Sequence, residues 1–168
     1  MIRVRDEGPE DAGAIRRVHE LAFGRPDEAA LVDALRREEA GLVSLVAELG
    51  GAVVGHVAFS PASVEGADDL RVAALAPMAV LPAHQRGGTG SALVQAGIER
   101  CRERAFAAVF VLGHPAYYPR FGFAAAAAHG IACEFPVPDE AFMALELLPG
   151  ALEGRTGVLR YARAFHGL

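Results

Sequence analysis

The chain contains no lysine and no asparagine; all sixteen of its basic residues are arginine. Without lysine there is no Walker A phosphate loop and no Schiff-base nucleophile. Without asparagine there is no N-glycosylation acceptor. Both absences fit a GC-rich coding bias better than selection at a site. Cysteine is scarce. Cys101 and Cys133 do not make a disulfide framework, and they read as reduced thiols. No apolar run approaches the roughly 18–20 residues of a membrane span. The start, "MIRVRDEGPEDAG", lacks the apolar core of a signal peptide. These features point to the cytoplasm and away from a membrane. Basic residues do not cluster and the net charge is −5, which argues against a nucleic-acid partner. The six histidines lack metal-ligand spacing, so no metal is expected. "HELAF" has Phe23 where the zincin pattern needs a histidine, and "GTGSAL" does not form the nucleophile elbow around Ser91.

What remains is an ordinary globular chain. Its 168 residues, 52 % of them hydrophobic, are most simply one domain spanning 1–168. "IRVR" alternates like a short strand. "PEDAGAIRRVHELAF" opens on proline and acids, as a helix start does, and repeats Ile15, Val18 and Ala22 at helical spacing. "DEAALVDALRREEA" reads as a second helix with Ala30, Leu31, Ala34 and Leu35 on one face. Two β-rich runs flank Gly50-Gly51 as a hairpin. "LRVAALAPMAV" is a third strand, with Pro77 marking a bulge or an edge. A helix follows from about Thr89 to Arg104. "AAVFVLG" reads as a buried strand, "PAYYPRFGF" as a turn or short helix, and "FMALELL" and "GVLRYARAF" as late strands. The order predicts a mixed α/β (α+β) fold: a largely antiparallel sheet flanked by helices.

The informative stretch is "QRGGTG", Gln85 to Gly90, between a strand and a helix. Gly87, Gly88 and Gly90 leave backbone amides uncovered, the helix start adds partial positive charge, and Arg86 can add a charge-assisted contact. Together they suit a phosphate. A dinucleotide fingerprint fails, because the third glycine position is Leu93. The plainer alternative is a glycine-rich turn that only caps a helix.

"QRGGTG" has the form Gln/Arg-x-x-Gly-x-Gly/Ala, and with "GHVAFSP" (Gly55–Pro61) and "YYPRFGF" (Tyr117–Phe123) the chain resembles the GCN5-related N-acetyltransferases, in particular a bacterial subgroup of predicted acetyltransferases. The resemblance covers roughly Ile2 to Phe165. It implies an acyl-CoA N-acyltransferase fold and acetyl-CoA as co-substrate. Gln85, Arg86, Gly87, Gly88, Thr89, Gly90 and Ser91 would hold the pyrophosphate. Met78, Ala79 and Val80 would carry the pantetheine arm along a splayed strand, with a backbone N–H, at Met78 by position, polarising the acetyl carbonyl. A neutral amine would attack the thioester directly. Tyr118 stands where the family places its general acid, while Tyr117 reads as a packing residue. Many relatives carry a strand glutamate as base. Neither central strand here has one, which leaves His56, His114 or a water chain. Arg25, Asp27 and Glu28 are candidates for reading the acceptor, a small-molecule or peptide amine; a homodimer is left open. Two rivals stand beside this expectation: a non-catalytic CoA-binding sensor or module, and transfer of a longer acyl chain.

Overall fold

The computed structural model describes residues 1–167. The chain runs β1 (Arg3–Asp6), α1 (Ala12–Phe23), α2 (Asp27–Glu38), β2 (Val43–Leu49), β3 (Ala52–Val64), β4 (Val72–Val80), α3 (Thr89–Glu103), β5 (Ala108–Leu112), β6 (Ala124–Ala125), β7 (Ile131–Cys133), β8 (Phe142–Glu146) and β9 (Gly157–Arg160). The sheet order is β1-β2-β3-β4-β5-β8-β6, with β9 joining the far end of β3 and pairing β7. Pairing is antiparallel except between β4 and β5 and between β7 and β9. The result is a mixed α/β fold with a largely antiparallel sheet between helices.

Period-2 alternation sorts the side chains onto two faces. Ala73 and Leu75 of β4 and Val109 and Val111 of β5 pack with Leu93, Val94 and Ile98 of α3. Val72, Ala74, Ala108 and Phe110 point the other way and pack with Leu31 and Leu35 of α2. Helix α2 has Asp27 and Glu28 in its first turn and Arg36 and Arg37 in its last, both favourable to the helix dipole. Its buried stripe is Glu28, Ala29, Leu31, Val32 and Leu35. Ala30 is exposed instead. The expected face is thus turned toward Val32, because α1 covers that side, and Ile15, Val32 and Val46 form their own cluster.

Two more boundaries differ from the sequence pattern. "GVLRYARAF" is a strand only to Arg160; Arg163–Gly167 is a short helix that returns to α2. Tyr161 and Phe165 are buried by that return, a long-range event that local periodicity does not encode. The alanine run Ala124–Ala128, whose sequence carries no periodic signal, forms the two-residue β6 and the start of one helical turn, Ala126–His129.

The feature that makes the site lies in β4. Val57 of β3 faces Met78 but Phe59 faces Leu75, so β4 carries one extra residue around Ala76-Pro77. Proline has no N–H for the ladder, and a bulge accommodates it. The β4–β5 pairing runs only from Val72↔Ala108 to Leu75↔Val111. From the bulge onward β4 keeps β3 as a neighbour and has lost β5.

Candidate active site

The strand edge opened at the bulge is chemically specific. Leu81 N donates to Val54 O at 2.8 Å, which sets the alternation along this end of the β3–β4 ladder. Every second residue of β4 faces β3. Ala79 therefore directs its backbone groups to β3, while the N–H groups of Met78 and Val80 turn toward the gap left by β5. The Val80 carbonyl is taken by the Gln85 side chain, which donates to it at 3.0 Å. Gln85 thereby ties the glycine loop to the strand end.

Beyond Gln85 the loop is a row of uncommitted donors. Among the described residues, no backbone N–H from Arg86 to Ser91 donates to a backbone carbonyl; the first such bond of α3 is Ala92 N to Gly88 O, 3.0 Å. Gly88 sits at the N-cap with φ +88°, a left-handed conformation that L side chains rarely adopt. Residues 85–88 are exposed, whereas Thr89 is buried and anchors the helix start beside Gly55. Six successive free amides at a helix N-terminus are the donor set that an anion cradle needs. The Ser91 hydroxyl is engaged with the Tyr117 hydroxyl at 2.9 Å, so Ser91 adds its amide to the cradle while its side chain pins the next element.

That element is the one-turn helix Tyr118–Phe121 after β5. His114 caps it: its carbonyl accepts from Tyr117 N at 3.0 Å and Tyr118 N at 3.4 Å, and its side chain is exposed. Arg120 lies over the Tyr117 ring, 4.3 Å from its centre, and that ring meets Tyr118 edge-on at 5.0 Å. Tyr118 is 8 % exposed. Its hydroxyl makes no hydrogen bond within the described residues, and burial pushes its phenol up to about 12. A Cβ on Gly113 would lie 2.2 Å from the Tyr118 ring, so glycine there sets where the tyrosine stands.

Tyr118 and the bulge share a cavity of about 550 Å³. Leu75 to Met78 and Leu112 form its floor at the splay. Its walls include Leu31 and Phe165 from the α2 side and Tyr118 from the α3 side, so the cavity passes through the sheet where β4 and β5 part. Of the three acceptor candidates on α2 and its approach, Glu28 lines this cavity, Arg25 holds Glu28 through both carboxylate oxygens, and Asp27 is exposed. The bond from Arg25 keeps the Glu28 carboxyl below its ordinary range against the opposing effect of burial.

His56 is placed elsewhere. It is fully buried under α1, does not line the cavity, and belongs to a chain of polar groups. Ser44 Oγ donates to Glu7, so it accepts from His56 Nε2 at 2.7 Å. His56 Nδ1 then accepts from His19 Nε2 at 2.8 Å. This order leaves His19 Nδ1 as a buried lone pair with no partner. Burial and then His56 push His19 down to about 3, and burial lowers His56 as well, so both are neutral near pH 7. His19 is absent from the sequence reading, although its position four residues after Ile15 put a polar ring in the apolar stripe of α1. Phe135, Tyr161 and Phe165 were also missed as cavity walls, since nothing local in the tail marks them.

The chain's similarities bear on this arrangement. The sequence profile described as the acetyltransferase (GNAT) family matches residues 13–123. The uncharacterized N-acetyltransferase YhbS of Escherichia coli strain K12 is 39 % identical over 164 residues, covering 97 % of this chain and 98 % of that protein. The uncharacterized N-acetyltransferase YjhQ of the same strain is 42 % identical over 134 residues, 77 % of this chain and 74 % of that one. The crystal structure of E. coli YhbS in complex with CoA superimposes with a TM-score of 0.91 at 38 % identity, covering 98 % of this chain and 92 % of that one. A GNAT family acetyltransferase from Brucella melitensis in complex with acetyl-CoA superimposes with a TM-score of 0.81 at 35 % identity, 98 % of each chain.

Proposed function

This chain belongs to the acetyltransferase (GNAT) family, and on that premise we propose a site-by-site account of how it works as an acetyl-CoA-dependent N-acetyltransferase. The observation that carries the account is the parting of β4 from β5 after Leu75↔Val111, directly before a row of free amides. The residues present fit acetyl-CoA. The amides from Arg86 to Ser91 would hold the pyrophosphate, and the open edge at Met78 and Val80 would carry the pantetheine arm as an added strand.

Acetyl-CoA supplies an activated thioester. The Met78 N–H, turned into the gap, is the donor for the acetyl carbonyl oxygen. Tyr118 is the general acid. Its phenol stays protonated at neutral pH and carries no competing hydrogen bond, so its proton is available to the departing sulfur. As the amine nitrogen bonds to the acetyl carbon, the C–S bond breaks. The ammonium gives its first proton to water before attack, the Tyr118 proton goes to the sulfur, and the second proton, shed by the nitrogen as the amide forms, returns through water to Tyr118. The free-energy gain comes mainly from holding two reactants together. His56 is enclosed by His19 and Ser44 and does not touch the cavity, so we assign the deprotonation to water rather than to His56; the side chain of His114 faces solvent. No metal takes part in this account. We place the protein in the cytoplasm, with residues 1–168 as one catalytic domain and acetyl rather than a longer acyl chain as the group moved.

Titration of the purified protein with acetyl-CoA tests the reading. Binding at micromolar affinity that is lost in Gly88→Val supports the cradle. No binding near millimolar concentration means that the glycines only turn a corner.

A further inference from the structure

The cavity has an uneven chemistry. Phe23, Leu31, Leu112, Phe135, Tyr161 and Phe165 surround its α2 side, and Glu28 is the sole charged group among its lining residues. Burial raises the Tyr161 phenol above the ordinary tyrosine range, so it stays neutral, and no arginine or histidine lines the walls. The Tyr118 hydroxyl remains for the leaving group. Resting on the acetyltransferase reading above, we propose that the acceptor is a primary amine on an apolar aryl or alkyl arm, bound as its ammonium by Glu28 with the arm among Phe23, Phe135, Tyr161 and Phe165.

Each part of this follows from what the walls can and cannot satisfy. The Glu28 carboxylate keeps lone pairs beyond the two occupied by Arg25, and it is 8 % exposed, so its attraction for a cation is poorly screened by water. Arg25 sits on the solvent side of Glu28, exposed and outside the lining, so water screens its charge from an ammonium on the cavity side. A free amino acid would bring a carboxylate to a wall that has no cation to receive it. A polyamine would press a second ammonium against apolar rings with no acceptor. An aryl or alkyl arm instead removes its own surface and that of four aromatic side chains from water. The volume of about 550 Å³, shared with the thioester end, is in the range of small-molecule sites and fits an arm of this kind better than a folded polypeptide surface.

Five amines separate the possibilities: 2-phenylethylamine, hexylamine, spermidine, glycine and a tripeptide with a free N-terminus. CoA release is followed with each at fixed acetyl-CoA, and acetyl-CoA binding is measured by titration in parallel. The expected result is kcat/KM at least tenfold higher for phenylethylamine and hexylamine than for the other three. Glu28→Gln should raise KM for phenylethylamine at least tenfold with acetyl-CoA affinity unchanged. Phe165→Ala should weaken phenylethylamine more than glycine. Preference for spermidine, glycine or the tripeptide overturns the proposal, as does an unchanged KM in Glu28→Gln. Acetyl-CoA binding with no release from any of the five overturns this proposal and leaves the cradle standing. Failure to bind acetyl-CoA overturns the cradle and this proposal together.

Discussion

Replacing Tyr118 by phenylalanine removes one oxygen and leaves a ring. That oxygen makes no hydrogen bond within the described residues, and the ring keeps its edge contacts with Tyr117 at 5.0 Å and Phe123 at 5.8 Å. The fold therefore has little to lose. A substitution with no broken hydrogen bond and no cavity stays within about 0.5 kcal/mol. The cradle, from Arg86 to Ser91, is held to this region through Tyr117 and Ser91 rather than through Tyr118, so acetyl-CoA affinity should hold as well. Turnover should not. Loss of a positioned general acid costs about 10²-fold or more, equivalent to roughly 2.7 kcal/mol of the barrier at 1.36 kcal/mol per decade. Burial holds the phenol at about 12, so the wild type should show no loss of activity from Tyr118 ionisation between pH 7 and 9. The assay has three readings on one variant: CoA release under saturating substrates, acetyl-CoA titration and thermal midpoint. A turnover loss with the other two unchanged is the expected pattern. Unchanged turnover would falsify the acid role, and a loss matched by weaker acetyl-CoA binding would move Tyr118 from chemistry to binding.

Further consequences can be measured. Gly113→Ala places a methyl group 2.2 Å from the Tyr118 ring, so the ring must move; turnover should fall about tenfold or more while acetyl-CoA affinity holds, and an unchanged kcat would show that Tyr118 tolerates displacement. Gly88→Val forces a β-branched residue to φ +88° and covers the amides, and acetyl-CoA affinity should drop at least tenfold; equal affinity in titration would reduce the loop to a turn. His19 is held near 3 by burial and by His56, against about 6.5 in an unfolded chain. The folded state then binds fewer protons between those values, so this stability is present above pH 6.5 and is lost as pH falls toward 3. Between pH 7.5 and 5.0 the loss works out to about 2 kcal/mol. Urea melts at the two pH values should show that loss in the wild type and a smaller one in His19→Gln; parallel losses would remove His19 as the source. Glu7, Arg36, Glu28 and His56 titrate or carry charge around it and are common to both proteins.

The parts of this protein legible without coordinates are local. Gly87, Gly88 and Gly90 between an apolar strand and an amphipathic helix state their consequence directly, because backbone freedom and a helix start need only neighbours in sequence. Pro77 announced the bulge for the same reason: a missing N–H is a property of one residue. Tyr118 could be placed by its motif, and Gly50-Gly51 marked a hairpin. Three things resisted. Helix α2 presents Val32 rather than Ala30 to the core, which depends on where α1 lies. His56 looked free on its strand, and only the fold supplies His19 on one side and Ser44 with Glu7 on the other. The cavity walls come from residues as distant as Phe23 and Phe165, with the last segment turning from strand into a short helix to reach them.

By itself, then, the amino-acid sequence determined the glycine-rich run before α3 and the break in β4, which rest on φ/ψ freedom and a lost donor, while the class of chemistry came from the resemblance of its motifs to a family. The tertiary structure decided the depth of Tyr118, the enclosure of His56 and the apolar cavity with one carboxylate in its lining. Those are desolvation and packing effects. They exist only after residues far apart in the chain have excluded water from the space between them.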